Sequence, residues 1–350
     1  MTRHRHFIPV CRVLLLWLIM AAPMAQAAGL PPAYQISKTV LLGGEAKWDE
    51  IAYDPVTRSV FVAHGNELTV INPDIGTVTQ RLPLSQNSHG LALAPEMKLG
   101  FVDSENPPTL TVFQLDNLRV VASLPLQPHP GALVYDSPSH QLYILHGPDG
   151  KMTVIDPVTN QTVSTLSLGD KTDSLVSDDQ GSIFLSLNTR REILRLDTVN
   201  KLFPARLRLP ECDNPHGLTM DRAERRIFAN CANNRTQIND AETGRAIMSL
   251  PVGKAAGGLG YNAARRLLFS ANGDGTLSVI AVFGSDQYRA VTPIITGVGA
   301  RTLAVDEEND RLFLVTATLE HSDPGPTPTA PPQNVYVPGT ARLLILTPVP

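Results

Sequence analysis

Short apolar runs follow one another along the chain with polar or turn-forming residues between them, and beyond residue 27 no stretch carries a helical period of useful length. Seven of these runs hold an aromatic residue at regular intervals: Phe61, Phe101, Tyr143, Phe184, Phe228, Phe269 and Phe313, spaced by 40, 42, 41, 44, 41 and 44. A recurrence at that interval marks a repeat architecture. Before each aromatic lies another apolar run, anchored at Ile51, Leu91, Leu133, Leu175, Leu218, Leu259 and Leu303. In six of the seven, Asp or Asn follows (Asp54, Asp136, Asp178, Asp221, Asn262 and Asp306), which suits a tight turn.

A third run is visible after six of the aromatics, as LTVIN (68–72), LTVFQ (110–114), MTVID (152–156), ILRLD (193–197), LSVIA (277–281) and LLILT (343–347). A weaker fourth run closes each unit. Four short strands per repeat of about 42 residues is the arithmetic of a β-propeller blade, so the expected fold is all-β with seven blades. The last repeat ends after its third strand, while an unassigned strand, 34–42, precedes the first. That strand is expected to complete the seventh blade and leave no open edge in the ring.

Residues 1–27 are expected to lie outside this fold. Arg3, Arg5 and Arg12 precede the apolar stretch 13–22, and Ala25-Gln26-Ala27 is a small-x-small cleavage site, the pattern of a secretory signal removed after Ala27. The apolar stretch is short for a membrane span, so a periplasmic or secreted protein is expected, with 28–350 as one domain. The whole chain has a net charge of −4, and losing the leader's three arginines leaves 26 basic against 33 acidic residues, a net of −7. That sign argues against a nucleic-acid partner. After leader removal only Cys212 and Cys231 remain, at two points on one face of the fifth repeat, and an even count in an oxidising compartment reads as a disulfide. A closed ring needs no second copy to fold, so a monomer is expected.

The segments VFVAHGNELTVINPDIG (60–76), MTVIDPVTNQTV (152–163), SANGDGTLSVI (270–280) and GARTLAVD (299–306), with the late proline-rich stretch, resemble the YVTN-repeat, YncE-like seven-bladed propellers exported by bacteria. The resemblance spans 34–350 and implies fold and compartment. More distantly the repeats are similar to the haem d1 domain of cytochrome cd1 nitrite reductases and to propeller lactonases, which imply two different chemistries.

In a propeller the loops before the inner strands and those between second and third strands share one face. His89, His129 and His216 fall in the first set, and His64, His146 and His321 in the second. Taking the residue two before each inner-strand anchor gives a ring around the channel mouth: Asp49, His89, Gly131, Asp173, His216, Gly257 and Arg301. This ring pairs Asp49 with His89, Asp173 with His216 and Arg301 with Asp49, and Trp48 stands beside it as core packing or as a ligand platform.

Three functions fit such a mouth. Recognition of a small ligand or periplasmic protein through Trp48, Asp49, His89, His129, Asp173, His216 and Arg301 is the principal expectation. A lactonase-like hydrolase would hold a divalent metal on His89, His216, Asp49 and Asp173, although no sequence-local metal motif is present. A scaffold in an envelope complex is the third. No C-x-x-C-H haem attachment site occurs, and the Gly-rich stretches at 147–150 and 273–275 read as hairpin turns. The stretch 318–338 carries six prolines and interrupts the seventh blade on the histidine face, where it is expected to cover part of the mouth.

Overall fold

The computed structural model describes Met1 and residues 32–284, 286–323 and 333–349. The leader expected at 1–27 therefore lies outside the described residues, apart from Met1. From Tyr34 onward the chain forms seven four-stranded antiparallel sheets and one two-stranded hairpin. Blade 1 comprises Ile51–Asp54, Ser59–His64, Glu67–Asn72 and Thr77–Pro83, and blades 2 to 6 repeat that meander through Ile295. In blade 7 the strands Leu303–Asp306, Arg311–Thr316 and Arg342–Pro348 are joined by Tyr34–Leu41, which pairs antiparallel with Arg342–Pro348 from Tyr34↔Pro348 to Leu41↔Arg342. The closing strand is the one the sequence left unassigned.

The first strands of successive blades touch one another all the way round, so they form the inner wall. The approach is close enough to need glycine: at Gly217 (φ +54°) a Cβ would lie 2.2 Å from the Gly257 carbonyl oxygen of the next blade. The repeated aromatics sit mid-strand in each second strand, and all seven are 0% exposed. They belong to seven apolar clusters, each shared by two neighbouring blades. Phe61, Ala63, Leu68 and Val70 of blade 1, for example, pack with Leu91, Val102 and Phe113 of blade 2. Burial is thus a contact between blades, and no blade has a core of its own.

The turn acids do what their position asks. Asp54 accepts from the Val56 and Thr57 amides, Asp178 from Gln180 and Ser182, Asp221 from Glu224, and Asn262 from Arg265. Several also tie blades together, as where the Tyr261 hydroxyl of blade 6 donates to Asp221 of blade 5 at 2.6 Å. The third strand of blade 5, Arg235–Asp240, had no apolar signature because its buried positions include Thr236, Gln237 and Asn239, each at most 1% exposed. Thr236 donates to Asn230, and Asn239 donates to Arg208 O and Gly244 O, so this blade pairs polar groups where the others pack apolar ones.

Cys212 and Cys231 form the expected disulfide within blade 5, with Cα atoms 5.1 Å apart and both residues fully buried. Replacing both with alanine is predicted to lower stability by about 3 kcal/mol in the chain-entropy model, read as a lower urea midpoint. An unchanged midpoint would show that the bond does not stabilise the fold by constraining the unfolded chain. Ring closure carries its own prediction. Leu42, 1% exposed, follows the closing strand and donates its amide to Ala341 O at 2.7 Å. Leu42→Ala is expected to cost about 2–5 kcal/mol by thermal or urea unfolding, as for any well-packed core leucine.

Candidate functional site

The loops on the histidine face hold two differently charged groups of side chains. The first is acidic and lies where blades 1 and 2 meet. His89 precedes the inner apolar run of blade 2, and its Nδ1 is 2.9 Å from Asp49 Oδ2, the pairing expected from the repeat register. On its other side, Nε2 is 3.7 Å from a Glu105 carboxylate oxygen. Asp103, opposite on the second strand of blade 2 where the register shifts, accepts the His89 and Gly90 amides on Oδ1 at 3.1 and 2.9 Å, while its Oδ2 is buried without a partner.

Bonding to the Asp49 carboxylate raises the His89 imidazole from 6.5 to about 9, against an opposing contribution from burial. Burial also raises Asp103 to about 7, although the Gly90 and His89 amides pull the other way. Glu50 is only half-buried by accessible surface, but protein surrounds its carboxylate densely. Desolvation and the neighbouring charges of Asp49 and Asp103 raise it to about 8, with the Arg301 charge opposing. Arg301 therefore acts on this cluster through Glu50.

The other ring members do not join this cluster. His216 faces main-chain carbonyls with both ring nitrogens, those of Asn214 and Ala256, and Asp173 accepts from Asn188 Nδ2 at 2.5 Å. The expected Asp173–His216 pair is therefore not formed: each side chain finds its partner closer at hand, one on the main chain and one within its own blade. His129 stands exposed with Nδ1 3.7 Å from Asp149, and His321 is 3.6 Å from Asp323. His64 and His146 are buried strand-end residues that bond a third-strand threonine, Thr69 or Thr153, and a main-chain carbonyl, Glu45 O or Pro128 O. Among the described residues no three His, Cys, Asp or Glu side chains gather as metal ligands. His89, His216, Asp49 and Asp173 do not converge, and no chemical step is derived through a metal.

The second group surrounds a cavity of about 580 Å³ formed by loops of blades 1, 6 and 7. Its wall includes Lys47, Trp48, Lys254, Asp274, Arg301 and Tyr336. Part of it is built by the proline-rich insertion, whose described arms Leu319–Asp323 and Gln333–Tyr336 pair as an antiparallel hairpin. The hairpin is tied at its base by Val337 N to Thr318 O, and just beyond it Gly339 N donates to Gly44 O, both at 2.9 Å. Leu319, Ser322, Asn334 and Tyr336 of this hairpin line the cavity. Residues 324–332 of the insertion lie outside the described residues.

Two contacts hold the hairpin over the cavity. The Tyr336 ring packs on Trp48 with centroids 5.0 Å apart, and it lies directly over Gly299, where a Cβ would come within 1.9 Å of the tyrosine hydroxyl. Gly299 has φ +81°, so both its conformation and its closeness to Tyr336 require glycine. Lys47, Lys254 and Asp274 also line this cavity, but the repeat register used for the ring did not find them. Lys47 and Lys254 precede their inner-strand anchors by four and five residues, outside the position two before the anchor that defined the ring.

Two outcomes follow. The upward shifts of His89, Glu50 and Asp103 share one sign, because the fold holds each proton more tightly than the unfolded chain does. The His89 contribution is complete below 6.5 and lost as pH rises through about 9, and the two acids lose theirs from about 4 up to about 7 and 8. The urea midpoint should therefore fall steadily between about pH 5 and pH 9, and Asp49→Asn should flatten that fall and lower the His89 titration midpoint seen by NMR. A flat wild-type profile would contradict the cluster. Separately, Gly299→Ala should push Tyr336 off Trp48. In a Trp17→Phe background, where Trp48 is the sole tryptophan, emission should move to longer wavelength, and an unchanged spectrum would show that the hairpin does not rest there.

The fold is shared with the hydrazine synthase of Kuenenia stuttgartiensis, with a TM-score of 0.69 over 77% of this chain and 92% of that one, at 12% sequence identity. At that identity the likeness is one of fold alone. No protein-family model matches the chain, and no curated protein matches it in sequence. The comparisons thus support the β-propeller architecture and go no further.

Proposed function

We propose that this protein is an exported propeller that recognises a small ligand on the face carrying the loops before the inner strands. The observation that carries the reading is the cavity over which the hairpin folds, walled by Trp48, Tyr336 and Arg301. Its volume falls among those of small-molecule sites, and its wall mixes apolar surface with a few polar groups, as such sites do. A rigid ring with loops set on one face suits recognition, because the scaffold fixes the loops at no cost to its own packing. The buried disulfide supports export, since such bonds persist in oxidising compartments.

Of the residues expected at the mouth, Trp48 and Arg301 belong to this proposed site. Asp49 and His89 form the adjoining acidic cluster, while His129, Asp173 and His216 are held by partners of their own. Recognition needs neither a nucleophile nor a converging set of metal ligands.

Native mass spectrometry of the full chain, after incubation with a small-molecule extract of the source cells, tests the reading. A retained compound of defined mass is expected on the wild type, and its loss is expected in Trp48→Ala/Tyr336→Ala. Retention unchanged in that variant, or no retained compound on the wild type, would contradict it.

A further inference from the structure

Resting on that reading, we infer that the cavity takes a small organic anion, a carboxylate or phosphate borne on a flat ring. Three cationic side chains, Lys47, Lys254 and Arg301, line this one cavity although they come from the loops leading into blades 1, 6 and 7. All three are exposed, and among the described residues none forms a salt bridge. The chain as a whole is acidic, with 33 Asp and Glu against 29 Lys and Arg. Three exposed cations lining one cavity give it a positive potential that favours a bound anion.

The single carboxylate among the lining residues does not cancel this charge. Asp274 accepts the Lys254 amide of the loop leading into blade 6 on Oδ2 at 2.7 Å, and the Thr276 amide and hydroxyl of its own turn on Oδ1 at 3.0 and 2.6 Å. Those bonds tie the two loops together, and one carboxylate against three cations leaves the lining net positive. The cavity therefore presents donors and positive charge, with Arg301 able to grip an oxyanion through two parallel N–H groups.

The ring half of the ligand follows from the aromatic lining residues. Trp48 and Tyr336 are half-buried and tilted at 58° to each other, so their packing leaves part of each ring facing the cavity. Leu319 and Val298 extend that apolar surface. An aromatic face beside a cationic cluster is matched by a molecule with a planar body and a charged end. The hairpin over the cavity limits its size, which favours a small molecule over a segment of folded protein.

The test uses the full chain carrying Trp17→Phe, so that Trp48 emission reports the cavity, and titrates benzoate, phenyl phosphate, acetate, benzyl alcohol and benzylamine. Benzoate or phenyl phosphate should give a saturable change, and which of them binds tighter distinguishes carboxylate from phosphate. Acetate should bind at least about tenfold more weakly for want of the ring contact. Lys47→Ala/Lys254→Ala should weaken the aryl anion about tenfold and reduce its salt dependence, with thermal unfolding unchanged because both side chains are exposed. Tighter binding of benzyl alcohol or benzylamine than of either aryl anion would overturn the anion while leaving the cavity as a ligand site. If none of the five binds, while a compound from the cell extract is retained through Trp48 and Tyr336, the anion proposal alone falls. Failure of both experiments removes the site itself.

Discussion

Everything on the histidine face depends on the ring being closed by backbone hydrogen bonds between the two ends of the described chain. Seven sheets packed face to face leave two edges to be joined, and Tyr34–Leu41 joins them by pairing with Arg342–Pro348. Closure converts a row of blades, each stable only against its neighbours, into a body in which every aromatic second strand is covered on both sides. It also fixes the site. The segment between the closing strand and the first inner strand, residues 42–50, carries Lys47, Trp48, Asp49 and Glu50, so the stretch that follows ring closure contributes to both groups of side chains.

Those groups are opposite in charge and lie side by side. Asp49, Glu50, Asp103 and Glu105 gather around His89, whereas Lys47, Lys254 and Arg301 gather around the cavity. Arg301 connects them, lining the cavity while its charge is felt by Glu50. The acidic cluster is stabilised by holding protons more tightly, which reduces the repulsion that four neighbouring carboxylates would otherwise impose. Burial and neighbouring carboxylates raise Glu50 and Asp103 into the neutral range, so the charge beside Arg301 varies with pH.

The architecture was legible because it rests on short-range regularities. An aromatic at a near-constant interval, an Asp or Asn in six of the seven inner turns and an orphan first strand suffice to give seven blades and their closure. The Asp49–His89 contact was legible for the same reason, since both occupy the same register position in adjacent repeats. The Asp173–His216 pair failed on a feature the register does not contain. Asn188 and the Ala256 carbonyl are nearer partners, and nothing in the repeat marks them. The polar third strand of blade 5 was silent because its buried positions are filled by hydrogen-bonded Thr, Gln and Asn. The cavity was half visible: Arg301 lies at a ring position and Trp48 beside one, but Lys254 stands five residues before its inner-strand anchor and Tyr336 reaches the cavity from an insertion in the seventh blade.

If the working site is the cavity under the hairpin, with the histidine cluster as its neighbour, a ligand should perturb the residues that line it. Backbone and side-chain chemical-shift mapping of isotopically labelled protein, titrated with the compound retained from source cells, reads this out. The largest shifts are expected on Lys47, Trp48, Lys254, Arg301 and Tyr336, with smaller ones at Glu50. Shifts centred on Asp49, His89 and Glu105, with the hairpin unmoved, would contradict this placement of the site.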